Sequence, residues 1–200
     1  MAVPTRWVSD TEAGHSQWYV ERFRALAEEG ADLAGEARLV DAMVRRGAHV
    51  LDAGCGQGRV SAALHARGHV VVGVDADPVL VEAARTDYPG PLWLVADLAE
   101  LDLPSQGVAE PFDAVVSAGN VLPYLAPGTE PEVLRRLFVH LVPDGFGVVG
   151  FGTTRGYALA AFDEDALAAG FTVEHRFTTW DLRPWVDGSD FAVTVLRKPA

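Results

Sequence analysis

The sequence predicts an α/β protein in which a mostly parallel sheet carries helices on both faces. Short apolar runs, rich in Val or Leu and without polar alternation, indicate strands that are covered on both sides. Helical patterns separate these runs, and such alternation is typical of βαβ units. A glycine-rich turn between the first run and the next helix, at Gly54–Gly58, is the third indication.

The predicted elements follow one another in a regular order. Two amphipathic helices come first, at His15–Glu29 and Leu33–Arg45. Five strands are predicted next, at His49–Asp52, Val70–Val74, Leu92–Val95, Phe112–Ser117 and Gly147–Phe151. The helices between them are expected at Arg59–Arg67, Pro78–Tyr88 and Glu130–Leu141. A helix at about Asp163–Ala169 then leads to two strands that we expect to pair antiparallel at the sheet edge, Phe171–Trp180 and Asp190–Arg197.

The composition favours a small-molecule partner over nucleic acid. The 16 Lys and Arg residues stand against 28 Asp and Glu, and the net charge of −12 repels phosphate backbones. Cys55 is the only cysteine, so we expect no intrachain disulfide and no Cys-based metal site, and no other metal-ligand spacing stands out. The N-terminus lacks an apolar signal core, and no apolar run is long enough to cross a bilayer. We therefore expect a cytoplasmic protein without membrane binding, either a monomer or a homodimer.

The segment His49–Arg59 is the most informative part of the chain. An apolar run ends at Asp52 and is followed by glycines at alternate positions, Gly54, Gly56 and Gly58. Glycine lets the backbone approach a ligand closely because it has no Cβ and tolerates positive φ. The helix that follows presents unpaired N–H groups to the same place. This pattern predicts a site for a nucleotide-type cofactor.

Acidic residues at the ends of the next two strands narrow the choice of cofactor. Asp75 ends the second strand and Asp97 follows the third, and in a parallel sheet both lie at the edge where ligands bind. Each acid alone could instead cap a helix or lie in a solvated loop, but together with Asp52 they favour a site. Arg59 occupies the place of the third glycine of the dinucleotide motif. A ligand with a ribose, a cationic centre and an adenine amino group therefore suits these acids better than a dinucleotide.

Four segments resemble motifs I to IV of the class I S-adenosylmethionine-dependent methyltransferases: VLDAGCGQGR, VVGVDADP, VADL and FDAVVSAGN. The resemblance covers roughly Ala48–Gly152. It implies a three-layer, Rossmann-like sheet of seven strands with an antiparallel edge strand, and S-adenosylmethionine as the cofactor. In size and layout the chain is similar to small stand-alone members such as the tellurite-resistance-like enzymes.

The resemblance also implies a role for particular residues. The strand end and the glycine turn would hold the methionine moiety: Asp52, Ala53, Gly54, Cys55, Gly56 and Gly58. Asp75 would accept from the ribose hydroxyls, with Ala76 beside the adenine. Asp97 would accept from the adenine amino group and Leu98 would lie against the ring. Ser117 would line the sulfonium end.

The acceptor side is expected to come from the first helix, where His15, Trp18, Tyr19 and Arg22 share one face. In one interpretation Trp18 and Tyr19 pack on the domain, while His15 and Arg22 lie at the edge of the contact. In the other the helix is a lid, with Tyr19 or Arg22 near the cofactor carboxylate and His15 near the acceptor. We adopt the lid as the working hypothesis.

Two loops supply further candidates. Asn120 could donate to a ligand or cap a helix, and Arg155 could bind an anionic substrate group or remain solvated. The segment Asn120–Tyr124 resembles motifs of nucleobase amino-group methyltransferases, but two intervening residues depart from the pattern. Transfer from a sulfonium depends mainly on alignment, so no catalytic group is assigned among the candidates His15, Tyr19, Asn120 and Arg155.

Taken together, these features predict a single domain, 1–200. It would comprise a helical cap (1–46), a cofactor-binding core (47–152), and a C-terminal helix with an edge hairpin (153–200). The expected activity is S-adenosylmethionine-dependent methyl transfer to a small molecule by in-line displacement. A non-catalytic S-adenosylmethionine-binding or regulatory protein, and an NAD-dependent oxidoreductase on a Rossmann fold, remain alternatives.

Overall fold

The computed structural model describes residues 3–200, and its central feature is one seven-stranded sheet. The first two residues of the expected helical cap lie outside the described part. The strands are β1 (His49–Ala53), β2 (Val70–Asp75), β3 (Leu92–Val95), β4 (Phe112–Ser117), β5 (Leu141–Gly152), β6 (Thr172–Phe177) and β7 (Phe191–Arg197). The helices are α1 (Arg6–Ser9), α2 (His15–Glu28), α3 (Gly35–Met43), α4 (Arg59–His65), α5 (Pro78–Asp87), α6 (Glu130–His140) and α7 (Leu159–Ala169).

The strand order, β3-β2-β1-β4-β5-β7-β6, confirms the predicted sheet. Strands β1 to β5 pair in parallel, and β7 pairs antiparallel with β5 on one side and with β6 on the other. The order reverses between β1 and β4, so the loops after these two strands diverge to opposite sides. Such a switch point leaves a crevice at the carboxyl ends of the strands, where ligands bind in this architecture.

Two apolar cores cover the two faces of the sheet, as expected for strands without polar alternation. On one face Leu51 of β1 packs in a core that includes Leu134 of α6 and Phe162 of α7, all fully buried. On the other face Val50 packs with residues of α3 and α4, such as Val40. Neighbouring residues of β1 thus face opposite layers, because successive side chains alternate across a strand.

Some boundaries differ from the predicted ones. Strand β5 begins at Leu141, well before the expected Gly147, because α6 passes directly into it and Asp144 adopts a positive φ of 60° within the strand. Helix α7 begins at Leu159 instead of near Asp163. Strand β6 ends at Phe177, short of Trp180, because the chain turns there and the N–H of Thr178 donates to the carbonyl of Arg183 at 3.0 Å. Helix α1 was not predicted.

Within residues 3–200, no helix combines the length and the apolar composition needed to cross a bilayer.

Trp93 of β3 fixes the packing between the glycine turn and the sheet. Its indole N–H donates to the carbonyl of Tyr88 at 3.1 Å. A Cβ built on Gly58 would lie 2.6 Å from Cη2 of Trp93, and one on Gly73 would lie 2.5 Å from its Cζ3. Both positions therefore need glycine so that the indole can reach the backbone.

We predict that Gly58→Ala destabilises the protein far more than Gly68→Ala. Gly58 and Gly68 have similar positive φ angles, 93° and 90°, but a Cβ at Gly68 meets nothing within 4 Å. Gly68→Ala should cost roughly 1 kcal/mol of unfolding free energy through backbone strain alone. Gly58→Ala should cost about 2 to 4 kcal/mol, because the new methyl group also displaces Trp93. Equal losses in urea denaturation would contradict the packing described here.

Candidate functional site

A cavity of about 500 Å³ lies at the carboxyl ends of the parallel strands. The glycine turn after β1, the ends of β2 and β3, and the loops after β4 and β5 contribute to it, and α1 and α2 cover it from the N-terminal side. Its volume is in the range of sites that bind small organic ligands. The crevice expected at the switch point is thus enclosed on one side by helices that precede the sheet in the chain.

The glycine turn is held close to β2. The backbone N–H groups of Gly54 and Cys55 both donate to the carbonyl of Val74, at 2.8 and 3.0 Å. A Cβ at Gly54 would lie 2.3 Å from Cγ2 of Val121 in the loop after β4. At Gly56 a Cβ would come no closer than 3.7 Å to the side chain of Tyr19, an ordinary van der Waals distance, so the backbone there faces Tyr19 without crowding.

Asp52 lies beneath the turn, with a residue exposure of 1%. Its Oδ2 accepts from the backbone N–H of Ser61 at 3.0 Å and from the Ser61 hydroxyl at 2.7 Å. Burial raises the pKa of Asp52 to about 6, against an ordinary value of 3.8, and the bonds from Ser61 oppose that rise. The other oxygen of the carboxylate remains for the cavity, which Asp52 lines.

Asp75 connects the glycine turn to the start of α5. Its Oδ2 accepts from the backbone N–H of Gly56 at 2.8 Å, and its Oδ1 accepts from that of Asp77 at 2.9 Å. Burial raises the pKa of Asp75 to about 6, although these backbone bonds favour the charged form. A carboxylate has about four acceptor positions, so two bonds leave capacity for a ligand.

Asp97 completes the row of carboxylates along the cavity. Its Oδ1 accepts from the backbone N–H of Ala99 at 2.9 Å and so caps the short 3-10 helix Leu98–Glu100. Leu98, which follows it, is buried and also lines the cavity. Asp97 therefore both caps this helix and lines the cavity.

Asp77 attaches the N-terminal helices to the sheet. As the cap of α5 it accepts from the N–H of Val79 through Oδ1, at 2.8 Å. Its Oδ2 accepts from the indole N–H of Trp7 at 2.8 Å and from the hydroxyl of Ser16. The ion pair of Arg24 with Asp87, at 2.9 Å, adds a second link between α2 and α5.

An aromatic cluster lines the cavity under these helices. The ring of Trp7 meets those of His15, Tyr19 and Tyr124 edge to face, with centroid distances of 4.8, 5.5 and 5.4 Å. Burial raises the pKa of Tyr19, so its hydroxyl keeps its proton at neutral pH. Trp18 is 50% exposed, which contradicts the interpretation that it packs on the domain.

The structure brings most of the sequence-predicted residues into the cavity lining. They are Asp52, Gly54, Cys55, Gly56, Asp75, Ala76, Asp97 and Leu98 on the expected cofactor side, with His15, Tyr19, Arg22, Asn120 and Arg155. Asn120 caps no helix; its Oδ1 accepts from the N–H of Gly152 at 2.7 Å, and its φ is 65°. It thus joins the ends of β4 and β5.

The structure does not bring Ala53, Gly58 and Ser117 into the lining, which corrects their expected placement. Ala53 packs in the apolar core, and Gly58 is covered by Trp93. The side chain of Ser117 is buried, and its hydroxyl has no hydrogen-bond partner within residues 3–200. Ala53 and Ser117 end strands that are covered on both faces, where the sequence gives no sign of which face a side chain occupies.

Sequence reasoning missed Trp7 and Phe23 and gave Tyr124 no role, yet all three line the cavity. Phe23 carried a usable signal, since it lies four positions after Tyr19 on the same helix face. Trp7 carried none, because its helix has only four residues and its partner Asp77 is distant in sequence.

Comparison with known proteins points to one family. Residues 50–145 match the methyltransferase domain family. A crystal structure of a TehB-like S-adenosylmethionine-dependent methyltransferase from Corynebacterium glutamicum is similar with a TM-score of 0.87 and 44% sequence identity. That similarity covers 94% of this chain and 100% of the other.

Two curated relatives are similar over shorter stretches. An uncharacterised methyltransferase of Mycobacterium tuberculosis is 44% identical over 82 residues, or 40% of this chain and 40% of that protein. The magnesium-protoporphyrin O-methyltransferase of Rhodobacter capsulatus is 34% identical over 116 residues, or 54% of this chain and 48% of that enzyme. The chain thus matches less than half the length of either relative.

We predict that Asp52→Asn flattens the pH dependence of stability. A carboxyl group whose pKa is about 6 when folded and near 3.8 when unfolded binds more protons in the folded state between these values. Its contribution is therefore full below about pH 4 and is lost as the pH rises to about 6. The wild type should lose roughly 2 to 3 kcal/mol over this range through Asp52.

Asn cannot titrate, and its amide oxygen can keep both bonds from Ser61. Urea denaturation at pH 4.5 and pH 7 should therefore show a smaller difference for Asp52→Asn than for the wild type. Glu110→Gln, at an exposed position, is the control and should keep the wild-type difference. The same pH difference in all three proteins would contradict the raised pKa.

Proposed function

The chain belongs to the class I S-adenosylmethionine-dependent methyltransferases, and from this premise we propose that it transfers a methyl group to a small-molecule acceptor. One observation carries the proposal. Three carboxylates, those of Asp52, Asp75 and Asp97, line one cavity together with the glycine turn at the switch point of the sheet. Carboxylates suit ribose hydroxyls, an amino group and a positive centre better than they suit phosphates.

The residues present fit S-adenosylmethionine by the chemistry of their donors and acceptors. Asp75 has acceptor capacity beyond its two backbone bonds, which suits the ribose hydroxyls. Asp97 uses one oxygen for capping and offers the other, beside the apolar side chain of Leu98, to an adenine. Gly56 adds no side chain to the cavity lining, so the methionine moiety can approach its backbone closely.

We assign Arg22 to the carboxylate of the methionine moiety. Arg22 lies on α2 and lines the cavity, with its guanidinium 5.4 Å from the ring centroid of Trp18. It forms no ion pair within residues 3–200. An arginine held against an aromatic face keeps its N–H groups free for an anionic ligand.

The bound cofactor would supply an activated methyl group that the acceptor's lone pair could displace directly from sulfur, with the bonding electrons left on sulfur. The protein's part is to align the acceptor and exclude water. The N-terminal helices do this by covering the cavity with Trp7, His15 and Tyr19. Where the acceptor carries a proton, His15 is the proposed receiver, since its ring makes no hydrogen bond within the described chain. Tyr19 is unsuited because it stays protonated.

We predict that S-adenosylmethionine and S-adenosylhomocysteine raise the melting temperature of the protein and that NAD does not. A ligand that binds only the folded state stabilises it, by about 2.7 kcal/mol at a hundred times its dissociation constant. NAD is the informative comparison, because it would bind if the glycine turn held a pyrophosphate.

Asp75→Asn should weaken S-adenosylhomocysteine binding in calorimetry by about tenfold or more, since it removes a charged acceptor. Glu110→Gln should bind as the wild type does. Stabilisation by NAD alone, or no response to either adenosyl compound, would refute the proposed function.

A further inference from the structure

The pairing of the arginines singles out two positions. Every arginine within residues 3–200 forms an ion pair with a carboxylate except Arg22 and Arg155. Both of these exceptions line the same cavity. In a chain with 28 acidic and 16 basic residues, carboxylate partners are abundant. Two unpaired guanidinium groups in one cavity therefore indicate two places where the ligands supply the negative charge.

Arg155 is positioned by the loop after β5. Its backbone N–H donates to the carbonyl of Gly152 at 3.2 Å. Its side chain lies over the same glycine, where a Cβ would come within 3.1 Å of Cδ and 3.2 Å of Nε. Thr153 holds the loop through its hydroxyl and its N–H, which donate to the carbonyls of Ser189 and Asp190 at 2.8 and 2.9 Å.

The two arginines enter the cavity from different sides. Arg22 comes from α2 of the N-terminal cover, whereas Arg155 follows β5, whose last residue, Gly152, donates its N–H to Asn120 after β4. S-adenosylmethionine carries one carboxylate, and the proposed function assigns Arg22 to it. Arg155 is left for an anionic group on the other reactant.

The lining of this cavity also includes aromatic and apolar side chains. Trp7 and Tyr124 contact each other edge to face, and Leu125 and Val121 add apolar surface to the same lining. Aromatic side chains favour flat, apolar partners that stack or pack edge-on. The net charge of −12 and the cavity's own acids disfavour an anion elsewhere in this site, so an anionic acceptor needs Arg155 as its counter-charge.

We propose that the methyl acceptor is a flat aromatic ring bearing a carboxylate. Arg155 would form an ion pair with the carboxylate, and the side chains of Trp7 and Tyr124 would contact the ring. This assignment rests on the proposed function and specifies its acceptor class. Arginine and carboxylate match as a two-point pair, which fixes the ring's direction as well as its place. Arg155 is thus a specificity-determining residue for the acceptor.

The test is calorimetry with the protein saturated with S-adenosylhomocysteine. The probes are 2-, 3- and 4-hydroxybenzoate, with phenol lacking the carboxylate and cyclohexanecarboxylate lacking the flat ring. At least one hydroxybenzoate should bind with a dissociation constant below about 1 mM, and phenol and cyclohexanecarboxylate should bind at least about tenfold more weakly.

Variants of the two unpaired arginines should separate the two ligands. Arg155→Gln should weaken hydroxybenzoate binding by about tenfold or more and leave S-adenosylhomocysteine affinity within about twofold. Arg22→Gln should do the reverse. Arg183→Gln is the matched control, because Arg183 is exposed, pairs only with Asp181 and lies outside the cavity. It should change neither affinity.

Two results would overturn the assignment while the proposed function stands. One is a protein that binds S-adenosylhomocysteine but none of the hydroxybenzoates below about 1 mM. The other is an Arg155→Gln variant that binds them as the wild type does. Failure of the wild type to bind S-adenosylhomocysteine would instead refute the proposed function, and the acceptor assignment with it.

Discussion

The geometry of the site depends on one carboxylate, that of Asp75. Its two oxygens accept from the backbone of Gly56 in the glycine turn and of Asp77 at the start of α5. Asp77 in turn accepts from Trp7 and Ser16. A continuous series of hydrogen bonds therefore runs from the turn after β1 to the helices that cover the cavity. Both sides of the cavity are positioned by the same short segment at the end of β2.

This arrangement concentrates negative charge where desolvation opposes it. Burial raises the pKa of both Asp52 and Asp75 to about 6, so the folded protein loses stability by keeping them ionised at neutral pH. Buried carboxylates with raised pKa values are typical of ligand-binding sites, because a cationic ligand stabilises their charged form. The two arginines without carboxylate partners carry the opposite charge in the same cavity. The same cavity thus holds both hydrogen-bond acceptors and charged donors.

The sequence alone was sufficient to predict the sheet and the acids at its carboxyl edge. Apolar runs separated by helical patterns located the strands, and Asp75 and Asp97 fell at the ends of β2 and β3 as expected. The direction of individual side chains was not predictable, because a strand buried on both faces shows no alternation; Ser117 accordingly points away from the cavity. The contact between Trp7 and Asp77 joins distant parts of the chain and has no local signature. Arg155 was recognised as a candidate; it is exposed at the cavity, and its lack of a carboxylate partner within residues 3–200 became visible only in the structure.

The most direct test of the central claim is a crystal structure of the protein with S-adenosylhomocysteine. We predict the ligand in the cavity over Gly56, with its ribose hydroxyls within hydrogen-bond distance of the Asp75 carboxylate and its adenine beside Asp97 and Leu98. The bonds from Gly56 and Asp77 to Asp75 should remain. A ligand bound elsewhere, or one in the cavity whose ribose makes no contact with Asp75, would contradict the account.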